Sequence, residues 1–145
     1  MISFHEIPHL SPAWREVLIH RDRISRRPLG INLSDEDTVN ESSQRHFVLR
    51  DGSHIIAGLI SCPPENKTIK LRQMWVHEDQ QGNGMGSRLL TEISEQFARE
   101  GIERLRLHAR VSVRSFYEKC GYLAEGRIFT EVGIPHIIME RQLTR

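Results

Sequence analysis

The hydrophobic period of the chain changes once between residues 69 and 101. Residues 69–76 mix β-branched and aromatic side chains with polar ones, as a half-buried strand requires. From Ser87 onward, Leu89, Ile93 and Phe97 recur every four residues with Leu90 beside them, which predicts an amphipathic helix ending at Gly101. The remaining pattern follows suit. Residues 1–7 alternate weakly and predict a first strand. Ser11-Pro12 is a helix start, with Trp14, Val17, Leu18, Arg21 and Ile24 at helical spacing until Pro28-Leu29-Gly30 breaks the run. Ser34-Asp35-Glu36-Asp37 resembles a second helix start, but the polar run to Gln44 has no apolar face and reads as a mobile arm.

Residues 46–50 and 54–61 predict two strands joined by an Asp51-Gly52 turn. Paired prolines at 63 and 64 mark a loop. Residues 105–109 alternate and predict a buried strand parallel to the one at 69–76. Ser112 is positioned to cap a short helix with the stripe Val113, Phe116, Tyr117 and Cys120, ending at Gly121. Strands at 124–130 and 136–142 follow, separated by Glu131-Val132-Gly133-Ile134-Pro135. The order predicts an α/β fold, a mixed sheet with helices on both sides, in a single domain over residues 1–145.

Composition narrows this picture only a little. The chain has 145 residues, 38% hydrophobic and 27% charged, which describes an ordinary globule with enough length for a core. A net charge of +1 gives no general attraction to nucleic acid or to an acidic membrane. No apolar run has spanning length, and the first residues carry neither a basic region nor an apolar one, so a cytoplasmic protein is expected. Two cysteines, Cys62 and Cys120, fit a reducing compartment. Arg21, Arg23, Arg26 and Arg27 form a charge run that reads either as a solvated helix end or as an anion contact. His5 and His9 are four apart, but Pro8 spoils the helix a metal pair would need, and no metal site is read.

The chemistry lies in the turn at 77–86. Glycines at 82, 84 and 86 free the backbone to point several N–H groups outward where a helix begins, a ready site for a pyrophosphate. Gly84-Met85-Gly86-Ser87 lacks the lysine of a Walker A loop, and position 87 is serine where the dinucleotide fingerprint wants glycine or alanine. Instead, Gln81, Gly84 and Gly86 resemble the Gln/Arg-x-x-Gly-x-Gly/Ala acetyl-CoA loop of the GNAT superfamily of N-acetyltransferases. Downstream, Tyr117, Gly121 and Tyr122 resemble that family's Tyr-x-x-x-Gly-Phe/Tyr segment. The two motifs come in the family's order, about thirty residues apart.

The resemblance implies a fold in which two central strands splay, and acetyl-CoA as donor cosubstrate. It implies that Gln81, Gly82, Asn83, Gly84, Met85 and Gly86 hold the pyrophosphate, while Met74 and Val76 offer main-chain contacts to the pantetheine arm. The acceptor would be a primary amine on a small molecule or peptide. Such an amine has a pKa of about 10.4 and must lose a proton before it attacks the thioester. Tyr117 matches the family's general acid for the leaving thiolate; on spacing alone it is equally a core aromatic. The base is less plain, since Arg72, Met74 and Arg110 occupy positions where some members carry working side chains; Glu78, His108, Glu131 and His136 are the candidates. Gly133-Ile134-Pro135-His136, preceded by Glu131, is similar to a segment of one GNAT subgroup. It would set His136 at a strand end as a proton relay with Glu131, or as a structural histidine bonded to backbone. A non-catalytic CoA-binding sensor is the alternative function, and the pattern leaves a homodimer open. A nucleic-acid module built on the arginine run is opposed by the charge balance.

Overall fold

A computed structural model describes residues 1–30 and 41–143. The helix start expected at Ser34 lies outside the described residues. Seven strands form one mixed sheet in the order β1-β2-β3-β4-β5-β7-β6. They are β1 (Ile2–Ile7), β2 (Arg45–Asp51), β3 (His54–Ser61), β4 (Thr68–Val76), β5 (Arg104–Arg110), β6 (Leu123–Glu131) and β7 (Ile134–Gln142), flanked by helices α1 (Pro12–Arg21), α2 (Met85–Arg99) and α3 (Arg114–Lys119). The chain divides into two compact units, neither contiguous in sequence. The first comprises Met1–Pro63 and Gln73–Leu89, the second Pro64–Arg72 and Leu90–Arg145.

In the first unit, β1 pairs antiparallel with β2, and β2 with β3. The β2–β3 hairpin turns on Gly52 and Ser53, one residue later than expected, because Asp51 pairs with His54 and Gly52 takes φ +60°. Ser11 caps α1 as its sequence predicts, its hydroxyl accepting from the Trp14 amide at 3.2 Å. The helix buries Trp14 and Val17 against Ile7, Val48, Ile55 and Trp75. The arginine run that follows is largely spent on internal pairing. Arg21, fully buried, donates to both carboxylate oxygens of Glu41 at 2.9 and 2.7 Å. Arg23 pairs with Glu78 and Arg27 with Asp22.

In the second unit, β4 and β5 run parallel, and their ladder covers Thr68 to Leu71 against Arg104 to Leu107. Beyond the last pair, Leu71 with Leu107, β4 continues to Val76 and β5 to Arg110. Gln73, two residues past that pair and the first residue of β4 in the first unit, takes φ +55°, a conformation its side chain disfavours. Antiparallel pairing joins β5 to β7 and β7 to β6. The hairpin between β6 and β7 is tighter than expected, a two-residue turn of Val132 and Gly133, both at positive φ. Its closing pair, Glu131 with Ile134, turns the Pro135 nitrogen away from β6, toward the side where β5 pairing begins only at His136. The missing N–H therefore costs the sheet nothing.

Helix α2 opens at Met85, two residues before the apolar run, and buries Leu89, Leu90, Ile93 and Phe97. Its end is a Schellman motif: the Gly101 amide bonds the Ala98 carbonyl and the Ile102 amide bonds that of Phe97. Ser112 does not cap α3. A short 3-10 turn, Val111–Val113, intervenes, so Val113 takes the cap position without a side-chain bond and is exposed.

Candidate active site

The first unit carries the glycine turn. After β4, a 3-10 turn over Glu78–Gln80 precedes Gly82 and Gly84 at φ +83° and +79°. A side chain at either glycine would meet open space, so the backbone there is bare on its outer side. Gly86 lies instead inside the first turn of α2 with no left-handed torsion. The first helical bond runs from the Arg88 amide to the Gly84 carbonyl, leaving the Met85 and Gly86 amides ahead of the ladder with the positive end of the helix dipole. These bare amides and the dipole suit a pyrophosphate, and acetyl-CoA carries one. Gln81 has a task that its motif position does not reveal: its side-chain amide donates to the Val76 carbonyl at 3.0 Å and ties the turn to the end of β4. The Val76 carbonyl is thus engaged from within the chain, and its neighbour His77 donates its amide to Ile56. Glu78 is held by two bonds from Arg23, at 2.8 and 3.0 Å. The Arg23 guanidinium keeps its carboxyl at about 2, which makes it a poor proton acceptor.

The second unit carries Tyr117 on α3. The spacing of its motif has a mechanical origin. The Gly121 amide bonds the Glu118 carbonyl and the Tyr122 amide bonds that of Tyr117, a Schellman cap in which Gly121 takes φ +92°. The rings of Tyr117 and Tyr122 meet edge to face at 5.8 Å, supplying the apolar contact such caps carry. Gly121 and Tyr122 thus end the helix and fix Tyr117 by its backbone and one ring face. Burial, with Cys120, pushes the Tyr117 phenol up to about 12 against the opposing charge of Arg110, so it holds its proton at neutral pH.

Three of the four base candidates meet in this unit. Strand alternation puts His108 on β5, His136 on β7, and Phe129 and Glu131 on β6 on one face, while Leu107, Ala109, Ile137 and Met139 bury the other. His108 Nδ1 lies 2.9 Å from Glu131 Oε1, and His136 Nε2 lies 3.8 Å from Glu131 Oε2. His136 Nδ1 is 2.8 Å from the Ile134 carbonyl, which only accepts, so Nδ1 carries the proton. The Phe129 ring stacks on His136 at 6.0 Å and meets His108 edge-on at 5.1 Å. Burial alone would raise the Glu131 carboxyl. The His108 bond and the charges of His108, His136 and Lys70 outweigh it and hold the group below the usual carboxylate range. The signal for His108 was present in the alternation of 105–109, where apolar odd positions turn it to the polar face.

The glycine turn offers amides that suit a pyrophosphate, and Tyr117 keeps its proton at neutral pH; each is a property that a CoA-dependent acyltransferase requires. The model of the acetyltransferase (GNAT) domain matches residues 32–143, and the chain belongs to that family. The Bacillus subtilis protein YyaT is 24% identical over 131 residues, covering 90% of this chain and 85% of its own. A crystal structure from Lactobacillus plantarum, assigned as an N-acetyltransferase, is 25% identical with a TM-score of 0.87 and covers 99% of both chains. The ribosomal-protein-S18-alanine N-acetyltransferase of Escherichia coli shares the fold, with a TM-score of 0.80 at 19% identity over 100% of this chain and 96% of its own. The protein is an acetyl-CoA-dependent N-acetyltransferase. Among the described residues, no helix is long and apolar enough to cross a membrane.

Proposed function

We propose that residues 1–145 work as one N-acetyltransferase domain that moves the acetyl group of acetyl-CoA to a primary amine on a small molecule or peptide. Gln81, Gly82, Asn83, Gly84, Met85 and Gly86 hold the pyrophosphate, and the main chain at Met74 and Val76 meets the pantetheine arm. Tyr117 gives the departing thiolate its proton. Glu131 and His136 belong to the machinery that handles the proton of the acceptor. The enzyme works in the cytoplasm, alone or as a homodimer.

The glycine turn is the observation that carries this reading. Acetyl-CoA should raise the melting temperature, as any ligand specific for the native state must. Gly84→Asp adds a carboxylate where phosphate sits and should weaken binding at least ~10-fold, about 1.4 kcal/mol. Gly84→Asn shares the backbone demand of Gly84, at φ +79°, without the charge, and should lose less. An unchanged thermal shift in Gly84→Asp removes the turn from the binding site. Binding without thiol release across amines, polyamines and amino acids would leave a CoA-binding protein that does not catalyse.

A further inference from the structure

We infer that His108, oriented by Glu131, is the base that takes the proton from the acceptor amine. The inference rests on the acetyl-transfer reading above and assigns the proton acceptor within it. The geometry fixes which nitrogen is basic. Glu131 is ionised at neutral pH and can only accept, so the 2.9 Å contact places a proton on His108 Nδ1. The lone pair is then on Nε2, for which no hydrogen-bond partner is found among the described residues. A carboxylate behind an imidazole also stabilises the imidazolium that forms when Nε2 accepts a proton. His136 is placed differently. Its side chain is 6% exposed, against 24% for His108, and its Nδ1 is committed to the Ile134 carbonyl. Its Nε2 lies 3.8 Å from the far oxygen of Glu131, beyond hydrogen-bond reach, and its ring stacks on Phe129, so it packs beside the pair as a positioning residue.

The proton balance closes with groups of this unit. The acceptor ammonium gives one proton to His108 Nε2, and its nitrogen then attacks the thioester carbonyl. The C–N bond forms, the C–S bond breaks, and the thiolate takes the Tyr117 proton. The second proton shed by the nitrogen on becoming an amide restores Tyr117, and the imidazolium returns its proton to water. The charged groups on this face include Glu131 and Glu125 on β6, His136 and Glu140 on β7, Arg106 and Arg110 on β5, and Lys70 and Arg72 on β4. Arg106 is itself paired with Glu140.

The test is the pH profile of kcat/KM for an amine that the wild type acetylates, in wild type, His108→Gln and Glu131→Gln. His108→Gln should lower the value by ~10²-fold or more near neutral pH. It should also lose the limb set by the imidazole, and added imidazole should restore part of the rate to His108→Ala. Glu131→Gln should move that limb to lower pH, because the imidazolium loses its carboxylate. Acetyl-CoA affinity and melting temperature should hold in all three variants. A His108→Gln enzyme with the wild-type profile, or a loss that tracks stability and ignores imidazole, overturns the inference while leaving acetyl transfer intact. A wild type that releases no thiol with any amine overturns the acetyl-transfer reading itself, and this assignment with it.

Discussion

Replacing Arg21 with methionine should cost this protein more stability than any single surface change. The Arg21 and Glu41 side chains are both 0% exposed, and the guanidinium spans two oxygens of Glu41 and the Gln73 side chain, the latter at 3.2 Å. Methionine fills much of the volume but leaves a carboxylate in the interior without its cation. Breaking a buried pair from one side costs ~3–5 kcal/mol, since the remaining charge keeps its desolvation penalty. With an unfolding entropy of roughly 2.1 cal/mol/K per residue, 145 residues give about 0.3 kcal/mol/K, so the melting temperature should fall by about 10–16 °C. Arg21→Met/Glu41→Gln removes both charges yet keeps an acceptor for the Trp14 indole, which donates to Glu41 at 3.2 Å, and should recover most of the loss. Calorimetry or circular dichroism melts of the wild type and both variants measure it. A fall of less than about 3 °C in Arg21→Met, or a double variant no better than the single, refutes the argument.

Tyr117→Phe keeps the ring and loses only the donor, so kcat should drop ~10²–10⁴-fold with the acetyl-CoA dissociation constant nearly unchanged; wild-type kcat under conditions where chemistry limits the rate would return Tyr117 to a packing role. Gly58→Ala would set a Cβ 2.7 Å from the indole nitrogen of buried Trp75, which stacks on His20, and should cost ~1–3 kcal/mol in a urea titration; an unshifted midpoint would mean the ring yields freely. His46 bonds the Glu41 carbonyl through Nε2 while its buried Nδ1 has no partner among the described residues, and burial lowers its pKa against the pull of Glu41. The unfolded chain therefore binds the proton more readily. This contribution is whole above pH ~6.5 and is lost as pH falls through the folded pKa, at no more than ~1.4 kcal/mol per unit. His20, also lowered chiefly by burial, acts in the same direction, and a melting temperature flat from pH 8 to pH 5 would contradict both.

What could be read from the sequence was local in origin. Ser11, the stripe on α2 and the two Schellman glycines each depend on neighbours within a turn or two, and each lies where its pattern put it. The turn between β2 and β3 slipped by one residue because Asp51 and Gly52 both favour turns, while pairing settles which of them closes the ladder. The fate of the arginine run was invisible, since Glu41 and Glu78 lie 20 and 55 residues from the arginines they hold. The left-handed torsion at Gln73 has no local signal either, because glutamine does not favour it. In the second unit, alternation was enough to turn His108, Glu131 and His136 to one face, but their bonding required the register across β5, β7 and β6.

That strand order bears on how the chain is made. β7 lies between β5 and β6, yet it leaves the ribosome after both. The edge of β5 away from β4 therefore stays open through the synthesis of α3 and β6, with Leu105, Leu107 and Ala109 not yet covered on that side. β6 cannot close it, because its own place is outside β7. Once the hairpin turn at Val132 and Gly133 has formed, β7 can enter with β6 already attached. A chain stopped before that turn would present a raw, partly apolar edge to its neighbours, the kind of surface on which nascent proteins aggregate and chaperones act.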